Sequence, residues 1–148
     1  MSSLSRLSPP VLIVLLAGVG ILLGTGAYLA TRETPIEDLP RDVAIASRGE
    51  AFDLAAHLAP GKYTIVDFYA DWCVGCRVLE PKLRRLAATR ADLALRKVDV
   101  VDWESNVVRQ FGFTALPHMQ VYDPNGLLLG EGEEAYGVIA EVFGVDVL

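Results

Sequence analysis

Cysteine and histidine are scarce in this chain, whose 148 residues contain two of each. The two cysteines alone cannot close a structural zinc site, which takes four ligands, and His57 is predicted on a distant helix. The sequence also lacks a P-loop, a dinucleotide-binding fingerprint and the helix motif of zinc proteases. We therefore expect no resident metal and no cofactor.

Basic residues are in the minority, with 13 Lys and Arg against 19 Asp and Glu and a net charge of −6. Beyond Arg32 the imbalance is larger. The 11 remaining basic residues (13 without Arg6 and Arg32) face all 19 acidic ones, which gives −8. An acidic domain repels phosphate backbones, so we expect no binding of nucleic acid.

Charge is absent from residues 11–30, which read VLIVLLAGVGILLGTGAYLA. Twenty apolar residues in a helix match a hydrocarbon core of roughly 30 Å. The segment is either a transmembrane signal anchor that is retained or a signal peptide that is cleaved after the small residues 24–27. Both alternatives predict that the chain beyond about residue 33 lies outside the cytoplasm, on the periplasmic or an equivalent side. Retention predicts a single-pass membrane protein.

The remaining sequence divides into a short N-terminal tail at residues 1–10, a charged, proline-containing linker at 31–42, and a folded domain at 43–148. In the domain, helix and strand patterns alternate. Helices are predicted at 49–59, 73–89 with Pro81 inside, 103–112 and 133–143. Strands are predicted at 63–69, 93–101, 118–122 and 127–129, with a further one at 43–46. This order predicts an α/β domain with a mixed sheet and helices on both faces.

Both cysteines lie in the stretch YADWCVGCR, at positions 73 and 76. Cys73 follows a predicted strand at the first turn of a helix, where unpaired N–H groups and the helix dipole favour a thiolate. Cys76 lies one turn further along, so it could attack a mixed disulfide formed at Cys73. Three alternatives are open at this point: ligation of a metal together with His118, a structural disulfide, and an incidental pair.

The stretch YADWCVGCR, with Pro81 five residues after the second cysteine, resembles the active site of the thioredoxin superfamily. VDFYADWC at 66–73 is similar to the strand that enters that site, and FGFTALP at 111–117 is similar to the segment with the cis-proline, here Pro117. The resemblance covers about residues 43–148. It implies a thioredoxin-like fold, with a mixed central sheet flanked by helices, preceded here by the predicted N-terminal transmembrane helix.

The resemblance also implies roles for individual residues. Cys73 would be the exposed attacking thiolate, and Cys76 the buried resolving thiol. Pro117 would lie beside the sulfurs and shape a groove for the substrate backbone. Trp72 would flank the site, and ordinary aromatic packing is the alternative for this side chain.

Asp67 interrupts the apolar run YTIVDFY, where an isolated buried carboxylate is costly. One interpretation is a buried acid with a raised pKa that moves the proton of Cys76. The other is an edge position at which the carboxylate meets water. Lys97 either matches the lysine partner of this acid in the family or is a solvated strand lysine.

The residues between the cysteines, Val74 and Gly75, depart from the Gly-Pro of ordinary thioredoxins and include no histidine. Strong disulfide donors of the superfamily carry a histidine there, which stabilises the reduced form. Its absence favours a reductant over an oxidant. His118 directly follows Pro117, where it either tunes the cysteines or packs as an ordinary side chain.

Within the superfamily, ADWCV-x-C is similar to the C-terminal domain of the bacterial thiol:disulfide interchange protein DsbD. FGFTALPH with DPNG is similar to membrane-anchored thioredoxin-like proteins of thylakoids and cyanobacteria. These relatives imply a protein-disulfide reductase that takes electrons from a separate membrane-embedded thiol reductase. Its clients would be disulfides of exported proteins, including apocytochrome c. The alternatives are a disulfide oxidase or isomerase, a metal-handling thioredoxin-fold protein, and an adaptor with incidental cysteines.

Overall fold

A computed structural model describes residues 42–147 of the chain. The predicted transmembrane segment at 11–30 and all of the predicted linker except Asp42 lie outside this range. Within residues 42–147, every helix falls short of the length and apolar character that a bilayer-spanning segment requires.

A five-stranded mixed sheet forms the centre of the domain, in the order β1-β3-β2-β4-β5. Strands β1 and β2 run parallel to β3, whereas β4 is antiparallel to both β2 and β5. The strands are β1 (Val43–Arg48), β2 (Tyr63–Tyr69), β3 (Leu93–Asp99), β4 (His118–Tyr122) and β5 (Leu128–Glu131). The predicted mixed sheet is confirmed, and β2 lies in its middle.

In the described range 42–147, three α-helices cover the two faces of the sheet: α1 (Val74–Thr89), α2 (Asn106–Phe111) and α3 (Glu134–Phe143). Because strand side chains alternate between faces, β2 contributes Ile65 to one core and both Val66 and Phe68 to the other. The first core is closed by α1 and α3, with buried Leu79, Leu83, Leu86, Ile139 and Phe143. The second is closed by α2 and the segments beside it, with buried Val107 and Phe113. The prediction of helices on both faces is confirmed.

The helix predicted at 49–59 is wrong, since only a 3-10 turn at Leu54–His57 forms there. Gly49 has a φ of +90°, which lies outside the helical region. The N–H of Phe52 donates to Gln110 Oε1 at 2.9 Å, and its carbonyl accepts from Gln110 Nε2 at 2.7 Å. The backbone is therefore satisfied by a distant side chain instead of by a helical turn.

The helix predicted from residue 103 begins three residues later, at Asn106. The carboxylate of Asp102 accepts from the N–H of Glu104 at 3.0 Å, which forms a local turn that competes with a helix. The predicted end near Gly112 is confirmed, because this residue adopts a left-handed conformation as the C-cap. The strand predicted at 93–101 ends at Asp99, and the strand predicted at 127–129 lies at Leu128–Glu131.

Candidate active site

Cys73 and Cys76 form a disulfide at the N-terminal end of α1, with their Cα atoms 5.3 Å apart. Cys73 is the N-cap residue, so the helix predicted from this position begins one residue later. Its N–H donates to the carbonyl of Ala70 at 3.0 Å, and its Sγ accepts from the N–H of Cys76 at 3.1 Å. A donor aimed at Sγ from the first helical turn favours a thiolate at Cys73 after reduction.

The prediction that Cys73 is exposed is wrong for this disulfide form. Cys73 is 6% exposed and Cys76 is 4% exposed. Both residues belong to the second core, where Val66, Phe68 and Ala70 are also buried. The two cysteines therefore differ in their position relative to the helix and not in their exposure.

Gly75 and Pro117 approach each other closely beside the disulfide. The Leu116–Pro117 peptide bond is cis, as the resemblance predicts. A Cβ atom on residue 75 would lie 3.1 Å from Pro117 Cδ, which is tighter than ordinary van der Waals contact. Glycine at this position lets the turn between the cysteines lie against the proline. The neighbouring Val74 is 65% exposed.

Trp72 precedes the disulfide, and its side chain is 49% exposed. The indole Nε1 donates to the carbonyl of Val101 at 2.7 Å, and the ring lies 5.6 Å from that of Trp103. Aromatic packing thus accounts for one part of this side chain, while the other part faces solvent. From the sequence, Trp103 is predicted only as the first residue of a helix. Its place beside Trp72 depends on the turn at Asp102, which the helical pattern does not indicate.

Asp67 lies on the central strand β2, so the edge position considered from the sequence is wrong. The residue is 2% exposed. Burial raises the pKa of its carboxyl, and this effect outweighs the positive charge of Lys97, which lowers that pKa. Lys97 Nζ lies 3.1 Å from Asp67 Oδ2. The other oxygen, Oδ1, has no hydrogen-bond partner within residues 42–147. Lys97 is itself 3% exposed, which excludes a solvated lysine.

Glu80 shares Lys97 with Asp67, a contact that the sequence analysis missed. Lys97 Nζ lies 3.1 Å from Glu80 Oε1, which also accepts from Arg84 Nε at 2.8 Å. Burial opposes the ionisation of Glu80, but hydrogen bonds from Arg84 and Lys97 outweigh it and hold the pKa of Glu80 below its ordinary value. Glu80 lies four residues after Cys76, so this network links the buried acid to the helix of the disulfide. The i,i+4 spacing of Glu80 and Arg84 is the sequence signal that could have identified the pair.

His118 packs among aromatic rings at the start of β4. Its imidazole stacks on Phe113 with centroids 4.9 Å apart and meets Phe68 edge-on at 5.5 Å. Burial lowers its pKa. These contacts agree with an ordinary packed histidine. Across the described range 42–147, no three His, Cys, Asp or Glu side chains come together in a way that could hold a metal ion.

Comparisons with curated proteins identify relatives that exchange disulfides or carry a thioredoxin-like domain. The chain is 31% identical over 132 residues to the thiol:disulfide interchange protein TxlA homolog of Synechocystis. The aligned region covers 86% of this chain and 71% of that protein. It is 33% identical over 118 residues to the chloroplastic thioredoxin-like protein HCF164 of rice, across 62% of this chain. The chain spans 45% of the length of that HCF164 protein.

Solved structures share the fold. Thioredoxin f from spinach chloroplast in its long form superposes with a TM-score of 0.54 at 20% identity, over 74% of this chain and 90% of that one. Thioredoxin f2 of Chlamydomonas reinhardtii gives 0.51 at 21% identity, over 66% and 95%. The Thioredoxin family model matches residues 44–137, a range that contains the disulfide, the cis-proline and the buried Asp67. The chain therefore belongs to the thioredoxin family.

Proposed function

We propose that this thioredoxin-family thiol:disulfide oxidoreductase is a membrane-tethered reductase that acts on disulfides of exported proteins. The pair of residues between the cysteines is the observation that favours electron transfer from this protein to its clients. Val74 and Gly75 provide no histidine to stabilise a thiolate, and Gly75 lies close to Pro117, where a Cβ atom would be 3.1 Å from Pro117 Cδ. A less stabilised thiolate makes the dithiol a better electron donor.

In the first step, the Cys73 thiolate attacks one sulfur of the client disulfide. A bond forms between Cys73 Sγ and that sulfur while the client S–S bond breaks, and the departing client thiolate takes up a proton. The N–H of Cys76, which points at Cys73 Sγ, supports the attacking thiolate. The product is a mixed disulfide between the enzyme and its client.

In the second step, Cys76 releases the client. Asp67 takes the proton of the Cys76 thiol, and the resulting thiolate attacks Cys73 Sγ and displaces the second client thiolate, which is protonated in turn. The raised pKa of Asp67 makes its carboxylate a better proton acceptor than that of an ordinary aspartate. Two electrons have then passed to the client, and the enzyme holds the Cys73–Cys76 disulfide.

A separate membrane-embedded thiol reductase would restore the dithiol by the reverse exchange. The uncharged segment 11–30 supports the membrane tether and the location outside the cytoplasm. The resemblance to membrane-anchored thioredoxin-like proteins supports the membrane-embedded partner and clients such as apocytochrome c. The Synechocystis relative is named a thiol:disulfide interchange protein, and such interchange is the reaction type of both half-cycles.

The reduction potential of the full-length protein tests the direction of transfer. Equilibration of the purified protein in dithiothreitol buffers should give a value nearer the roughly −270 mV of thioredoxin than the roughly −120 mV of the oxidant DsbA. A value near −120 mV would overturn the proposal and identify a disulfide oxidase. Val74→His serves as a matched variant because this side chain is 65% exposed, and we expect its potential to be less negative than that of the wild type.

A further inference from the structure

A half-exposed apolar surface extends from Cys73 across the loop that follows β3. Trp72 and Val101 are each 49% exposed, and Trp103 is 40% exposed. The two indole rings are 5.6 Å apart and tilted by 55°. We call these three residues the aromatic ledge. It adjoins the disulfide, so a client held there would present its own disulfide to Cys73.

The backbone at Val101 is unfavourable for the residue that occupies it. Within residues 42–147, Val101 is the only non-glycine residue with a positive φ, at 64°, a conformation that β-branched residues rarely adopt. Its carbonyl accepts the indole N–H of Trp72 at 2.7 Å, which fixes the exposed ring. Glycine or asparagine would suit this backbone better. Valine instead adds an exposed apolar side chain next to the tryptophans, and backbone strain of this kind is typical of functional surfaces.

Acidic side chains border the aromatic ledge. Asp71, Asp102 and Glu104 are exposed, and none forms an ion pair within the described part of the chain. The two nearby arginines donate to main-chain carbonyls, Arg77 to that of Asp71 and Arg109 to that of Glu104. The faces of tryptophan rings attract cations as well. The three carboxylates outnumber the two guanidinium groups, so both the border and the rings favour positive charge.

We propose that the aromatic ledge selects clients in which an apolar residue flanked by lysine or arginine lies next to the disulfide. The apolar residue covers Val101 and the tryptophan rings, and the basic groups meet Asp102 and Glu104. This inference rests on the reductase function proposed above and adds a substrate class to it. Charge complementarity of this kind acts mainly on the rate of association, so the selection appears in the speed of reduction.

Two synthetic peptides with the same Cys-Gly-Gly-Cys disulfide loop test the proposal, one preceded by Lys-Leu-Lys and the other by Glu-Leu-Glu. The reduced full-length protein, in neutral detergent, is mixed with each in a single turnover. We expect the basic peptide to be reduced about tenfold faster at low ionic strength, with the ratio falling towards one as salt screens the charges. Both Trp103→Ala and the double variant Asp102→Asn/Glu104→Gln should lower this ratio to about threefold or less.

Glu141→Gln is the matched control, because it removes an exposed carboxylate from α3, on the opposite face of the sheet. It should leave the ratio unchanged, which separates the aromatic ledge from the overall negative charge of the protein. Equal rates for the two peptides would overturn the proposal that the aromatic ledge selects clients, and would leave the proposed reductase function standing. The same ratio in Asp102→Asn/Glu104→Gln as in Glu141→Gln would have the same consequence. A wild-type protein that reduces neither peptide would overturn the reductase itself.

Discussion

The roles of the two cysteines cannot be assigned from their exposure, because both are nearly buried. They differ instead in backbone position, since Cys73 is the N-cap and accepts the N–H of Cys76. A nucleophile needs its thiolate stabilised by such donors, whereas a resolving thiol needs only to lie within reach.

Replacement of one cysteine at a time should separate these roles. Cys76→Ser is expected to accumulate stable mixed disulfides with clients, because Cys73 attacks and nothing resolves the product. Cys73→Ser is expected to accumulate none. Non-reducing electrophoresis after incubation with a disulfide-bonded test protein measures the adduct. Equal trapping by the two variants would contradict the assignment.

Asp67 should make the stability of the oxidised protein depend on pH. Its carboxyl pKa is raised by burial, so the folded state keeps a proton that the unfolded state loses above a pKa of about 3.9. Relative to Asp67→Asn, the wild type is therefore most stable below that pH. It should lose up to about 1.4 kcal/mol of unfolding free energy per pH unit as the pH rises towards the folded-state pKa.

Urea denaturation of both proteins between pH 4 and pH 9, taken as roughly the range in which a buried carboxyl titrates, checks this slope. Asp71→Asn is the control, because it changes an exposed carboxylate and should follow the wild type. A difference between wild type and Asp67→Asn that stays constant with pH would show that Asp67 is not held protonated by burial.

Among the elements, β5 and α3 meet at a point where only glycine fits. A Cβ atom on Gly130 would lie 2.9 Å from Val138 Cγ2 and 3.5 Å from the backbone carbon of Glu134. Gly130→Ala should therefore lower the unfolding free energy by about 1–3 kcal/mol. Gly137→Ala is the matched variant within α3, where a new Cβ meets nothing within 4 Å, and it should stabilise by up to about 1 kcal/mol. Thermal unfolding of the two variants would reveal opposite shifts, and equal shifts would contradict this packing.

The sequence predicted those elements whose periodicity coincides with burial. The run YTIVDFY predicts β2 because nearly all of it is buried, and α1 is predicted because Leu79, Leu83 and Leu86 form one buried stripe. The segment 49–59 shows an apolar stripe as well, yet its backbone bonds to Gln110, 58 positions away from Phe52. Such a long-range side-chain contact leaves no local signal.

The candidate site was predictable to a similar extent. Cys73, Cys76 and Pro117 carry recognisable motifs, and the burial of Asp67 follows from its place in an apolar strand. Glu80 and Trp103 were missed as site residues because their roles arise from packing between α1, β3 and the loop after β3. The order of strands in the sheet brings these segments together, and pairing between distant strands is not encoded in local periodicity.

At the scale of the whole molecule, the parallel strands give the domain two distinct ends. Val43 pairs with Leu95, which in turn pairs with Ile65 near the start of β2, so the chain enters the sheet at the end where β2 begins. Cys73 follows the other end of β2, and seven strand residues span about 20 Å.

On the tethered arrangement proposed above, the reactive disulfide therefore faces away from the point of attachment. The linker of 12 residues predicted at 31–42 would span at most about 40 Å, and a membrane-embedded donor would have to meet the disulfide within that reach. Linker length then sets the local concentration of the disulfide at that donor, while encounters with clients in free solution do not depend on it. On this arrangement, a change in linker length would alter the rate at which the donor reduces the Cys73–Cys76 disulfide and would leave the rate of client reduction unchanged.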